Sequence, residues 1–402
     1  MTGWWREPTR GQWMAFSAAW LGWVLDAFDF TIYLLVLPLI AEEFDVSLTA
    51  TAGSITLTLL LRLLGGYAAG AVADRWGRKL PLMISMVWFA VCDGAIAFAP
   101  SFFWVLVLRT LFGFGMGAEW TSGTTLAMES WPARSRGIAS GILQGSWAIG
   151  YFLAALVAGW VVPIWGWRAL FLIAALPALL AVPIRFLVPE SLTRAPKDRP
   201  PPLRALLDPA IRSKLVWACL AMLFGLAEYY ALSGLYPTLL TRELGFSAVA
   251  MTHHVMLFNA GMLAGAVVCG LAAARWGPIP SAVVPATLMI FLLPVYTGMT
   301  GVSTYAGAVL GGMFGAGFAG VTPLLLTSLF PAPVRARCVG IAYHVGAFGS
   351  AFVAPTVTAM RERGGMTLAW SLLLVAGVSL AAMVVVLLLR PAGVPFIVEK
   401  KS

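Results

Sequence analysis

Residues 51–73 and 80–99 are two apolar runs, joined through the ten residues G-A-V-A-D-R-W-G-R-K at 70–79. About 20 apolar residues span the roughly 30 Å of a bilayer's hydrocarbon, so a short charged turn between two such runs has to be a tight loop at the membrane surface. The loop is echoed 200 residues later in G-L-A-A-A-R-W-G at 270–277, which keeps the glycines, Arg275 and Trp276 but has Ala274 in the place of Asp74. A second pair of segments repeats too: E-S-W-P-A-R-S-R-G at 129–137 and S-L-F-P-A-P-V-R at 328–335 each set Pro four residues before Arg. Two matched features at one spacing imply a duplicated six-helix unit.

Apolar runs bounded by charge or Pro/Gly clusters number twelve: roughly 18–40, 51–73, 80–99, 103–127, 138–162, 168–189, 214–238, 250–274, 281–300, 303–328, 337–360 and 366–390. With 60% hydrophobic and 11% charged residues and a mean hydropathy of +0.88, the 402-residue chain lies outside the soluble range. The expected architecture is all-α: twelve transmembrane helices in two six-helix bundles, 1–189 and 214–402, joined by a Pro-rich charged linker at 190–213. Small residues at helix-packing spacing, Gly66/Gly70, Gly113/Gly117 and Gly261/Gly265, fit close helix contacts in lipid.

The net charge of +9 would suit nucleic acid, but its distribution excludes that use. With both termini placed in the cytoplasm, Arg168, Arg242, Arg361 and Arg363 fall outside and Arg62 and Arg109 fall well within spans; the other 20 Lys and Arg lie at or beyond the cytoplasmic ends of the spans. This bias orients a multi-pass membrane protein with both termini in the cytoplasm. The first apolar run carries Asp26 and Asp29 and lacks a small-residue cleavage site, so it reads as a retained helix and not a leader. Cys92, Cys219, Cys269 and Cys338 fall in or at the edges of spans and are expected to pack without pairing. Gly315, Gly317 and Gly320 match a dinucleotide fingerprint in form only, because no strand precedes them. No metal cluster, phosphate loop or catalytic triad stands out, so neither an enzyme nor a bound cofactor is expected.

A charge near the bilayer midplane costs at least about 2.5 kcal/mol unless it meets a cavity or a partner, which makes each one a functional candidate. Asp26 and Asp29 lie three residues apart on one helix face, roughly 12–17 Å from the cytoplasmic end at 1.5 Å per residue. Arg62 stands near the centre of helix 2 and Glu119 about 12 Å from the cytosol on helix 4. Three acids around one Arg cannot all be comfortable as ions, so at least one of Asp26, Asp29 and Glu119 is expected to carry an exchangeable proton. Arg62 is read either as an anchor for a substrate carboxylate or as a fixed partner of Asp26 or Asp29. Arg109 either pairs with Asp93 or serves substrate and proton traffic. In the second half the polar residues facing an expected cavity are Glu228, Tyr229, Tyr230, Asn259, Tyr343 and His344. His253 and His254 are placed at the membrane interface, without the companions a metal site needs.

The D-R-x-G-R-K loop and the run Arg109-x-x-x-Gly113-x-Gly115-x-Gly117 resemble signatures of the major facilitator superfamily. Within it, L-D-A-F-D-F at 25–30, L-R-L-L-G-G at 61–66, G-M-G-A-E-W at 115–120 and M-E-S-W-P at 128–132 are similar to the sialate and lactate proton symporters. L-Y-P-T-L-L at 235–240 with L-G-F-S at 244–247 adds a likeness to bacterial monocarboxylate members. The resemblance implies a monomer that imports a small organic anion with protons by alternating access, the proton gradient standing in place of any cofactor. The anion is a monocarboxylate of the lactate or pyruvate kind or a sialic acid; Glu228-Tyr229-Tyr230 in place of the lactate branch's polar helix 7 keeps aromatic acids open. Gly70, Asp74, Arg75, Gly77, Arg78, Lys79, Glu129 and Arg136 are expected to form the cytoplasmic gate. The rival readings are a proton antiporter exporting drugs or metabolites, and a membrane sensor that transports nothing.

Overall fold

The computed structural model of the chain describes residues 3–186 and 203–396. Residues 187–202, which include the first part (190–202) of the expected linker 190–213, lie outside the described residues. Helices make up almost all of what is described: α1 (Arg10–Glu43), α2 (Leu48–Trp76), α3 (Lys79–Ile96), α4 (Phe102–Ser130), α5 (Arg136–Phe186), α6 (Pro209–Gly234), α7 (Tyr236–Thr238), α8 (Ala248–Trp276), α9 (Pro278–Tyr296), α10 (Thr304–Leu310), α11 (Thr322–Leu329), α12 (Arg335–Ser350), α13 (Val353–Glu362) and α14 (Leu368–Leu388). A π-helical turn, Gly311–Gly315, and a 3-10 stretch, Ala316–Val321, join α10 and α11 into one span.

Among the described residues eleven helical segments are long and apolar enough to cross a membrane. The 51 residues of α5 would run about 76 Å if straight, far more than one crossing needs. At Gly166 the backbone turns to φ 75°, and the helix breaks there into two crossings, which brings the spans to the twelve read from the sequence. Phe98 and Phe291 are 75% and 76% exposed, as side chains facing lipid are. Water would not tolerate so much apolar surface.

The duplication is visible in backbone chemistry. Ser47 caps α2 by accepting from the Ala50 amide, and Ser247 caps α8 by accepting from the Ala250 amide, 200 residues on. Both helices end on a glycine of positive φ, Gly77 at 104° and Gly277 at 94°, a conformation that a side chain would strain. Gly113 lies against the carbonyl of Thr58 and Gly312 against that of Phe258, so close that a Cβ at either would overlap the oxygen. Small residues there let two helix backbones touch, which is how helices associate in lipid.

By compactness the chain forms two units. One comprises Met1–Ala133, Ser146–Asp208 and Phe330–His344; the other comprises Arg134–Gly145, Pro209–Leu329 and Val345–Ser402. In the first, Phe28, Ile32, Tyr33 and Val36 of α1 pack with Val105, Trp167 and Phe171 into one buried cluster. The Gly-rich stretch around Gly317 is helical and apolar, which removes the nucleotide reading. All four cysteines are free thiols.

Candidate functional site

Two clusters of buried ionisable residues lie in the first unit's helices, one near the middle of α1 and α2 and one reaching the end of α3 and the first turns of α4. In one, Asp26 of α1 faces Arg62 of α2, with 3.9 Å between Oδ2 and Nη2 and neither side chain more than 2% exposed. The pair is loose. Both Asp26 oxygens, and the Nε and Nη2 that form one edge of the Arg62 guanidinium, are buried without a hydrogen bond. Aromatic rings flank the guanidinium: its Cζ lies 5.7 Å from the Trp23 centroid and 5.5 Å from that of Tyr343. Tyr343 in turn stacks on Trp120 at 3.5 Å, and Trp23 packs on Trp147 at 4.8 Å. His344, fully buried, holds its Nε2 3.1 Å from the Gly117 carbonyl and 3.2 Å from the Thr121 hydroxyl.

In the other cluster, Arg109 of α4 pairs with Asp93 of α3 at 3.3 Å, and Asp29 sits beside both. Arg109 is enclosed by the rings of Tyr33, Phe112 and Phe171 at 4.2, 4.7 and 5.0 Å. Ser54 hydrogen-bonds Tyr33 and so fixes that ring. Glu119 accepts a hydrogen bond from Ser85 at 2.7 Å and lies within electrostatic reach of Asp26. The acids expected in a single layer around Arg62 are thus shared between two arginines. Asp26 goes to Arg62, and Asp29 to Arg109 and Asp93. Sequence reasoning did not give Trp23 and Trp120 a place in the site, although Trp23 precedes Asp26 by three residues and therefore shares its face.

The loop motif builds a third constellation. Asp74 accepts from the backbone N–H groups of Ala336 and Arg337, both at 3.1 Å, and so caps the start of α12. Its carboxylate also lies 3.7 Å from Arg78. Arg78 joins Glu129 through Nε at 2.9 Å and donates to the Ala73 and Ala332 carbonyls, while Arg335 reaches Glu129 at 2.8 Å. Gly70 lies flat against Arg337, where a Cβ would fall 2.5 Å from its Cα. Arg75 stays out of this network, exposed and stacked 4.6 Å over Trp76. Lys79 is half-buried at the start of α3, and Arg136 belongs to the second unit.

Of the candidates in the second unit, Glu228 is fully buried, and Tyr229 and Tyr230 meet edge-on at 5.3 Å. Asn259 donates its amide to the Val255 carbonyl of its own helix at 2.9 Å. His254, expected near the end of its span, lies about one and a half turns from the start of α8. It is fully buried between Ala250 and Thr304 and stacks on Tyr305 at 4.1 Å, because the start of α10 covers that end of α8. No group of metal-ligating residues occurs among the described residues.

A duplicated bundle of twelve membrane crossings with buried ion pairs defines a membrane carrier. The chain belongs to the major facilitator superfamily, whose model matches residues 19–293. It is 31% identical to a probable 4-methylmuconolactone transporter of Cupriavidus pinatubonensis, over 86% of this chain and 83% of that one. It is 30% identical to the sialic acid transporter NanX of Escherichia coli over 87% of both, and 29% identical to the cis,cis-muconate transport protein of Acinetobacter baylyi over 88% of both. Its fold matches the proton:xylose symporter XylE with a TM-score of 0.77 over 94% of each chain, at 18% identity.

Proposed function

We propose that this protein imports a small organic anion together with protons across the inner membrane by alternating access, both termini being cytoplasmic. The observation that carries the reading is the Nε/Nη2 edge of Arg62, buried between aromatic rings and without a hydrogen bond. A guanidinium edge of this kind presents two parallel N–H groups, the arrangement a carboxylate accepts from. An anion docked there displaces Asp26 as the partner of Arg62. Asp26 then has no countercharge, and a carboxylate left alone at that depth takes up a proton. One carboxylate of the anion is therefore matched by one proton. Asp29 and Glu119, close to the same electrostatic field, offer further places for the proton.

The rings of Trp23, Trp120 and Tyr343 favour acids that carry a flat or unsaturated body, because a π-face stacks on such a surface. The names of the relatives, muconate and methylmuconolactone among them, support that class; sialic acid and the shorter monocarboxylates, which lack such a body, are the alternative test substrates. The Asp74, Arg78 and Glu129 network serves as the cytoplasmic gate, closed here by its grip on the start of α12 and opening once per cycle.

The test is uptake by proteoliposomes of labelled cis,cis-muconate, gentisate, sialic acid and lactate under an inside-alkaline gradient. Accumulation of at least one of them, abolished by a protonophore, is expected. Equal uptake with the gradient collapsed contradicts the coupling.

A further inference from the structure

The second unit buries an acid that the reading above does not use. Glu228 stands on α6 with no exposure, and neither carboxylate oxygen has a hydrogen-bond partner. Its Oε1 lies 2.8 Å from where a Cβ on Gly315 would be, so the carboxyl rests directly on the bare backbone of the π-helical turn. Leu232 and Met289 border the same spot with carbon.

Within the unit the elements packed on α6 bring no positive charge to this acid; α12 touches α6 there through Gly346 and Gly349, against Met222 and Leu223. Neither α14 nor Thr304–Val321 contains Asp, Glu, Lys, Arg or His, and the charged residues of α13, Arg361 and Glu362, are exposed at its end. Within the unit the ionisable neighbours are phenols: Tyr296 of α9, which donates to the Leu232 carbonyl, and Tyr236 of α7, stacked on it at 4.4 Å.

The internal repeat shows how unusual this is. The carbonyl of Thr58 against Gly113 is matched by that of Phe258 against Gly312, so the corresponding helices meet alike in both units. Yet 200 positions beyond Arg62 stands Met262, and 199 and 200 positions beyond Arg109 stand Ala308 and Val309. The second unit has an acid without the arginines that accompany acids in the first.

We propose that Glu228 is a proton-binding site of the second unit. Its carboxyl holds a proton while α6 packs on the 311–321 stretch, and releases it to water, becoming a carboxylate, when the two separate. A carboxylate at this depth with no cation would be expelled from such packing. A metal cation would need several oxygens, which Leu232 and Met289 do not supply. The π turn gives the separation a place to happen, since such turns break the regular helical ladder and mark functional hinges. The site belongs to the second unit, whereas Arg62 belongs to the first, and it adds a second proton to the cycle.

Purified protein in lipid nanodiscs without substrate supplies the test, by infrared spectroscopy of carboxyl groups at neutral pH. The native protein is expected to show a protonated carboxyl band that is lost in Glu228→Gln and displaced in Glu228→Asp. On a jump to alkaline pH the Gln variant is expected to release one proton fewer. Gln imitates the neutral acid, so that variant is expected to fold with native thermal stability. A Gln variant that fails to fold, a band unchanged by the substitution, or a band that responds to sodium at constant pH overturns the proposal. None of these readings involves substrate, so failure here is separate from failure of the uptake reading.

Discussion

Replacing Asp74 by Asn removes one of the two backbone N–H groups that this side chain accepts, because the amide presents a single carbonyl oxygen and turns its NH₂ toward the other donor. The 3.7 Å pairing with Arg78 is weakened as well. A hydrogen bond to a charged acceptor contributes about 1.5–3 kcal/mol, so the closed gate should lose about 2 kcal/mol, which multiplies the open population about 30-fold. Cys338 reads that population directly. It is fully buried one residue beyond Arg337, on the helix start that Asp74 caps. In a protein whose Cys92, Cys219 and Cys269 are replaced by Ala, maleimide labelling of Cys338 is expected to rise about 30-fold in Asp74→Asn, in line with the shifted population. Substrate affinity is expected to change far less, since Arg62 lies about a half-helix away. A labelling rate unchanged by Asp74→Asn, or lost binding with native labelling, would refute the gate assignment.

Arg62→Lys is expected to weaken substrate binding about 10- to 100-fold, because an ammonium cannot reproduce the two parallel bonds of the guanidinium edge; native affinity by equilibrium binding would leave Arg62 only a packing role. Asp26→Asn, which imitates the protonated partner of Arg62, is expected to retain exchange of labelled for unlabelled substrate across the membrane while failing to concentrate it. The same assay on Asp29→Asn and Glu119→Gln identifies any second carrier, and normal accumulation by all three variants would remove proton coupling from this cluster.

Much of the fold was legible because a bilayer imposes its thickness on every crossing. Span lengths and the place of the charged loop at 70–79 follow from that one constraint, and the 200-residue repeat was legible as self-similarity. Depth within the membrane was legible too: counting residues put Arg109 level with Asp93, and the structure pairs them. Helix rotation was not. Asp26 and Asp29 differ by about 60° around α1, which is enough to direct them to different arginines, and nothing local to either residue reveals which. Side-chain competition escaped the sequence as well. Asn259 spends its amide on its own helix, and His254 is covered by Thr304 and Tyr305 from a segment 50 residues away. The departures from α-geometry at Gly311–Gly315 and Ala316–Val321 lie in a Gly-rich apolar run that reads as one ordinary span.

The most direct measurement of the central claim is proton movement caused by substrate alone. Proteoliposomes in a weakly buffered medium with an external pH dye start with no gradient, and cis,cis-muconate is added outside. Symport predicts that the medium turns alkaline as the anion enters with protons, and that Arg62→Ala abolishes the signal. Acidification of the medium would establish exchange of substrate for protons, and uptake without any change of pH would establish transport without coupling; either contradicts the account.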